Sequence, residues 1–214
     1  MVQPNLKRLV AYSSISHMGF VTLGVFSFNL IAFQGAIYVM LAHGITSSAL
    51  FLLCGMIHER RHTYEISEFG GLATPMPRYA SFFLFASLAA IGLPMLCGFV
   101  GEFLSLAGTF QTHPAWAVWA ATGVIFSACY MLWAYQRVFY GQITNPKNRD
   151  LTDLIPREKW VMAGLCALML WLGLHTNFFL QRFEMSSRTI LEQACQAVAA
   201  HPTSPLKLES MNQR

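Results

Sequence analysis

Apolar residues fill five long stretches of the chain, and polar residues gather in short segments between them. The first stretch runs from about Leu9 to Ala32 and the second from about Phe33 to Ile57. The fourth covers about Ala115 to Tyr140 and the last about Trp160 to Leu180. Each is close to the ~20 residues that a helix needs to cross a bilayer. The third, Tyr79 to Gln111, is too long for one straight span, and its middle holds Gly92, Pro94, Gly98 and Gly101. Glycine and proline at that density break a helix and free its backbone groups. The pattern therefore predicts an all-α membrane protein of five transmembrane elements, one of them a discontinuous helix. Beyond this transmembrane domain (residues 1–180), residues 181–200 read as an amphipathic helix at the membrane interface and residues 201–214 as a disordered end.

Positive charge decides how often the third stretch crosses. Lys and Arg cluster before the first span (Lys7, Arg8), in the first polar loop (Arg60, Arg61, Arg78) and in the second (Arg137, Lys147, Arg149, Arg157, Lys159). The short NLIAFQG and QTHP connections carry none. A single discontinuous crossing places every basic segment on one side of the membrane, whereas two crossings would split them. The single crossing is favoured, with the N-terminus on the cytoplasmic or matrix side and the C-terminus opposite.

Composition agrees with a polytopic membrane protein. Of 214 residues, 55% are hydrophobic and only 11% charged, which excludes an ordinary soluble domain. The net charge of +4 is scattered and reads as membrane orientation, not as a nucleic-acid surface. Five cysteines lie far apart with no CxxC pair or His/Cys cluster, so no metal or iron–sulfur site is expected. No dinucleotide-binding, P-loop or haem-attachment motif occurs. The opening MVQPNLKR is too polar for a signal peptide.

Few titratable side chains fall inside the apolar stretches: His17, His43, Glu102 and, near a span end, His175. A charged group at the centre of a membrane helix costs roughly 2.5–3.5 kcal/mol on insertion scales, so such residues mark ion paths. Histidine suits a proton relay because it takes and releases a proton near neutrality. Desolvation favours a neutral glutamate and a nearby cation favours a charged one, so alternating between the two loads and unloads a proton. Ser13 and Ser14 share a helical face with His17, and Thr46 and Ser47 share one with His43. These hydroxyls fit either ordered water along a polar axis or hydrogen bonds between helices. Glu102 itself admits a plainer reading, a carboxylate snorkelling from a proline-kinked packing helix. The candidate proton-translocation residues are Glu102, His43 and His17, with Gly92, Pro94, Gly98 and Gly101 forming the helix break.

Three motifs in order, LKRLVAYSSISHMGF, MLAHGITSSALFLLCG and GLP…GFVGEF, resemble the C-terminal part of the chain-4 subunit of respiratory complex I, one of the antiporter-like proteins related to Mrp cation/proton antiporters. The likeness runs from about Leu6 to Leu180. It implies a fourteen-helix fold of two inverted five-helix repeats, each with a broken helix, of which this chain supplies the second repeat. It also implies that Glu102 is the exit-side acid on the broken helix, that His17 and His43 belong to the central hydrophilic axis, and that Lys7 is a basic residue at the helix entrance.

Two departures stand out. The first nine helices of the family are absent, which implies a subunit split between two polypeptides or present only in part. A mitochondrial inner membrane is the expected location, with a bacterial plasma membrane as the alternative. The family's LPG at the break reads Leu93–Pro94–Met95 here, which is expected to shift the break towards Gly98. The resemblance further implies no cofactor in this chain: flavin, iron–sulfur clusters and quinone belong to other subunits. Partners would be a chain with the missing helices, adjacent antiporter-like subunits, the rest of complex I and membrane lipids. The other readings are an Mrp-type sodium/proton antiporter subunit, the membrane arm of an energy-converting hydrogenase, or a purely structural remnant.

Overall fold

The computed structural model describes residues 3–200; the end expected to be disordered, 201–214, lies outside the described residues. The chain folds into seven α-helices, α1 (Leu6–Phe26), α2 (Leu30–Arg61), α3 (Pro77–Ile91), α4 (Cys97–Thr112), α5 (Pro114–Phe139), α6 (Pro156–Leu174) and α7 (Thr176–Ala200). Among the described residues there is no strand, only one isolated bridge between Asn5 and Glu65. Helices α1, α2 and α5 are each long and apolar enough to cross a membrane, and α6 reaches that standard together with α7 across a 70° bend.

Local capping chemistry moves two boundaries away from those that hydropathy suggests. The first turn falls at residues 27–29, not at the expected 32/33 boundary, because the Asn29 side chain accepts from the Ile31 and Ala32 N–H groups and starts α2 there. A cap of this kind satisfies backbone donors that the helix leaves free, and the apolar Leu30–Ala32 that follow hide it from a hydropathy reading. The last span ends at Leu174, not at Leu180, and α7 starts at Thr176, ahead of the expected 181. Phe179 and Leu180 belong to α7 and pack against the core from there, so their hydropathy does not extend α6.

The two ends of the bundle are tied differently. At one end Leu6 N–H donates to the Tyr64 carbonyl, and Asn145 and Asn148 reach Glu68 from the loop after α5. The Arg60 guanidinium grips Glu158 with two hydrogen bonds, 3.0 and 2.6 Å, and also reaches the Thr152 carbonyl. Asp153 accepts from the backbone N–H groups of Arg78 and Tyr79 and so caps α3. All the loops rich in Lys and Arg thus meet at one end. At the other end, Asn29 donates to Gln111 and Thr112 donates to the Ser27 carbonyl.

These contacts give the direction of the broken stretch. Tyr79 O–H donates to the Leu53 carbonyl near the start of α3. Farther along, Gly101 packs on Val39 and Gly108 on Ala32. From Tyr79 to Thr112 the chain therefore advances alongside α2 in one antiparallel direction, broken at residues 92–96. Gly92 ends α3 in the left-handed conformation, with φ +83°, and its N–H bonds back into the helix as in a C-terminal cap. The shift of the break towards Gly98 does not occur. Met95, at the position where the resemblance leads to an expectation of glycine, itself takes a left-handed φ of +77°, a conformation that costs a residue with a Cβ ~1 kcal/mol or more. Gly98 and Gly101 lie inside α4, not in the break, and serve close packing: a Cβ on Gly98 would strike the Ala89 carbonyl, and one on Gly101 the backbone of Val39 at 2.7 Å.

Small residues bring α2 and α4 into backbone contact, as expected where packing in place of hydrophobic burial drives helix association. A Cβ on Gly35 would lie 2.8 Å from the Leu104 carbonyl carbon, whereas Gly44 on the same helix has open space around it. Gly35→Ala must push the helices apart, a cost of ~1–3 kcal/mol by analogy with overpacked cores. The expected outcome is a lower thermal unfolding midpoint of the detergent-solubilised protein for Gly35→Ala and an unchanged one for Gly44→Ala, measured side by side.

Candidate functional site

The three sequence-selected titratable residues converge. His17 is carried by α1, His43 by α2, and Glu102 by the second turn of α4, five residues after that helix restarts. Nδ1 of His17 lies 2.7 Å from Oε1 of Glu102, and the two residues are 4% and 6% exposed. A contact this short between titratable groups is in the range of charge-assisted hydrogen bonds. It accommodates the proton on either partner: the imidazole N–H donating to a carboxylate, or the carboxyl O–H donating to the ring nitrogen. The His43 ring is tilted 37° against that of His17, with centroids 5.5 Å apart.

A small cavity of about 10 Å³ sits among His17, His43, Thr46, Gly98 and Glu102. That is about the space one water molecule occupies. The Nε2 atom of His17 is buried without a hydrogen-bond partner among the described residues. A single water in this cavity has an imidazole, a second imidazole and a carboxyl group within its walls. Gly92, at the helix break, lies close enough to Glu102 that a Cβ there would sit 3.2 Å from Oε2. The break thus places its glycine directly against the acid, and the next helix begins one turn before it.

Ser13 donates to the Val10 carbonyl at 2.7 Å, and Thr46 donates to the carbonyls of Ala42 and His43. Both hydroxyls thus bond within their own helices; Ser13 also meets the Tyr130 hydroxyl of α5, and Thr46 lines the cavity beside the histidines. His58 stacks on Tyr64, His113 stacks on Trp116, and His175 forms the C-cap at the bend between α6 and α7. None of these joins the central group. Among the described residues, no three of His, Cys, Asp and Glu lie in a group able to hold a metal ion.

No local pattern in the sequence marks the Arg60–Glu158 pair, because its partners are 98 residues apart. Thr46, already on the His43 face, and Gly98 are brought together as walls of the cavity only by the packing of α2 against α4.

An all-helical bundle with a discontinuous element, a buried acid just past the break and an imidazole in direct contact with it defines an integral membrane protein with an internal polar site. Residues 1–127 match the family model described as NADH:quinone oxidoreductase/Mrp antiporter, transmembrane. The chain belongs to this family. It is 46% identical over 191 residues to NADH-quinone oxidoreductase subunit M of Rickettsia prowazekii, covering 89% of this chain and 39% of that protein. It is 40% identical over 190 residues to NADH-ubiquinone oxidoreductase chain 4 of Chondrus crispus, again covering 89% of this chain and 39% of the relative. The chain thus spans about two fifths of the length of these relatives. Among solved structures, respiratory complex I from Thermus thermophilus with bound NADH contains a chain with TM-score 0.82 and 36% identity, over 89% of this chain and 40% of that one. The Mrp complex from a Dietzia species matches with TM-score 0.75 at 21% identity, over 86% and 42%, which is a likeness of fold. The antiporter-like fold is therefore common to both assemblies.

The His17–Glu102 contact can be probed by what each substitution leaves behind. Glu102→Gln keeps the shape and a hydrogen-bonding oxygen, so it is expected to leave the thermal midpoint of the protein nearly unchanged. Glu102→Leu strips His17 of its partner and is expected to cost ~1–3 kcal/mol, read as a clear drop in that midpoint. Equal midpoints for the two variants would show that the contact does not hold the helices together.

Proposed function

We propose that this chain forms the C-terminal part of an antiporter-like subunit in the membrane arm of a proton-pumping NADH:quinone oxidoreductase and carries a segment of its proton path. The observation that supports this most directly is the buried 2.7 Å contact between His17 and Glu102 beside the helix break, in a chain closely related to subunit M and chain 4 proteins. In this reading the chain supplies five crossings, α1, α2, the α3–α4 pair, α5 and α6, as the second of two inverted repeats. The basic loops lie on the cytoplasmic or matrix side, and α7 lies in the opposite interface.

The geometry supports a short proton path. A proton on His17 is one hydrogen bond from Glu102, and His43 is reached across the small cavity through one water. Because the surroundings are apolar, a charge change on a neighbouring element acts on this group with little screening. It shifts the proton between imidazole and carboxylate without moving the backbone. Oxidation of NADH and reduction of quinone take place in other subunits, which hold the flavin and iron–sulfur clusters, and no redox centre resides here. In this reading, paralogous antiporter-like subunits and lipids flank the bundle. The mitochondrial inner membrane is the proposed location.

A second reading follows from the family description, which covers Mrp antiporters as well: a subunit exchanging sodium for protons without a redox partner. Companions distinguish the two. Native membrane complexes purified through this chain and identified by mass spectrometry are expected to contain NADH-dehydrogenase subunits; Mrp-type companions alone would replace the first reading by the second. In the assembled complex, reconstituted in proteoliposomes, Glu102→Gln is expected to lower proton uptake per NADH oxidised severalfold while the subunit composition stays intact. Full coupled pumping in that variant would remove Glu102 from the path.

A further inference from the structure

Helices α3 and α6 begin side by side at the basic end of the bundle. Asp153, just ahead of α6, holds the first N–H groups of α3, and each helix opens with a proline, Pro77 and Pro156. Both therefore enter the membrane region in the same direction from adjacent starting points. A hollow of about 520 Å³ lies between their first turns, with Arg78, Phe82, Lys159 and Ala163 in its walls and Trp160 at its edge. A second hollow of about 290 Å³ shares Arg78 and Phe82 and continues to Phe85 and Cys166.

The lining residues follow helical spacing on both walls. Arg78, Phe82 and Phe85 stand at i, i+4 and i+7 on α3, and Lys159, Ala163 and Cys166 do so on α6. Residues so spaced share one helix face, so each wall carries a cation at the first turn and apolar groups for the next ~10 Å of rise. The groove is basic at its mouth and apolar along its length.

Among the described residues, Arg78 and Lys159 take part in no ion pair. The two acids at the start of α6, Asp153 and Glu158, hydrogen-bond to other groups. Asp153 accepts three backbone N–H groups, from Arg78, Tyr79 and Leu154. Glu158 is held by Arg60 and by the Ile155 N–H. Trp160, 80% exposed, stands beside the mouth, where an indole favours the boundary between headgroups and acyl chains.

We propose that this groove is a binding site for an anionic phospholipid, its phosphate between Arg78 and Lys159 and an acyl chain laid along Phe82, Phe85 and Ala163. Charge complementarity selects this occupant: two cations outside any ion pair among the described residues attract an anion, and the apolar continuation suits a chain attached to it. A soluble phosphate satisfies only the first requirement and a zwitterionic lipid only the second. Bound there, the lipid bridges the starts of α3 and α6 and stabilises the frame from which the broken helix departs. The inference rests on placement of the bundle in a membrane with its basic end at the surface, and not on which activity the assembly carries.

The test uses the intact purified complex, partly delipidated, with phosphatidylglycerol or phosphatidylcholine bearing a photoreactive diazirine on one acyl chain. After irradiation, labelled peptides are mapped by mass spectrometry. Phosphatidylglycerol is expected to label the peptides containing Phe82, Phe85 and Ala163 roughly fivefold or more over phosphatidylcholine, up to about thirtyfold if each of the two cations gives ~1 kcal/mol. The double variant Arg78→Gln, Lys159→Gln is expected to bring that ratio near one, while Arg149→Gln leaves it unchanged. Equal labelling by the two lipids in the wild type would overturn the proposal in favour of an indifferent lipid-facing surface. Labelling by neither would overturn it in favour of a groove covered by a neighbouring protein. The wild-type ratio decides even if the double variant does not assemble.

Discussion

A carboxyl group among apolar helices must be partnered or kept neutral, and in this bundle the partner arrives from a different helix. Bringing Glu102 to 2.7 Å from His17 requires α4 to lie against both α1 and α2, and that closeness runs through glycine. A Cβ at Gly24 would meet the Ala32 carbonyl at 2.5 Å, and Gly101 meets the backbone of Val39. Uncompensated burial of one charge costs several kcal/mol, more than any single packing contact in the bundle returns. The pair and the close packing that permits it therefore depend on each other: larger residues at these glycines would separate the helices and strand the acid.

The frame around the site is asymmetric. At the basic end, Arg60 with Glu158 and Asp153 with the first turn of α3 tie α2, α3 and α6 together through charge-assisted contacts. At the other end neutral side chains and backbone carbonyls suffice. Between the two ends the break at residues 92–96 interrupts the helix that would otherwise carry force straight through. Met95 is held left-handed there, and its carbonyl packs directly on Gly173 of α6. A Cβ at that glycine has no room, so α6 is shaped to the break as much as α3 and α4 are. The acid sits where the structure is anchored on one side and discontinuous on the other.

The relation to complex I and Mrp proteins fits this arrangement, because both contain the same fold while their partners differ. The chain holds an acid, two imidazoles and a cavity of about 10 Å³ between them. The groove between α3 and α6 is a separate feature at the membrane surface, and its chemistry is that of lipid recognition.

Much of this was legible in the sequence. The length and hydropathy of the apolar runs determined an all-helical membrane protein, because a bilayer core fixes how many apolar residues a crossing needs. The placement of Lys and Arg in three segments, with none in the two short connections, pointed to the end at which the basic loops meet. Glu102, His17 and His43 stood out because ionisable groups in apolar runs are rare. Other features were decided only by the tertiary structure. The contact of His17 with Glu102 instead of with neighbouring serines, the position of the break at Gly92–Leu96 and the start of α7 at Thr176 depend on which helix faces which. So do the Arg60–Glu158 clasp and the groove lined by Arg78 and Lys159, whose members lie about eighty to a hundred residues apart. Local composition fixes what each segment is, since hydropathy and capping act over a few residues. Which side chains meet is set by packing over the whole bundle, where a single backbone-to-backbone contact at a glycine determines the register of everything attached to it.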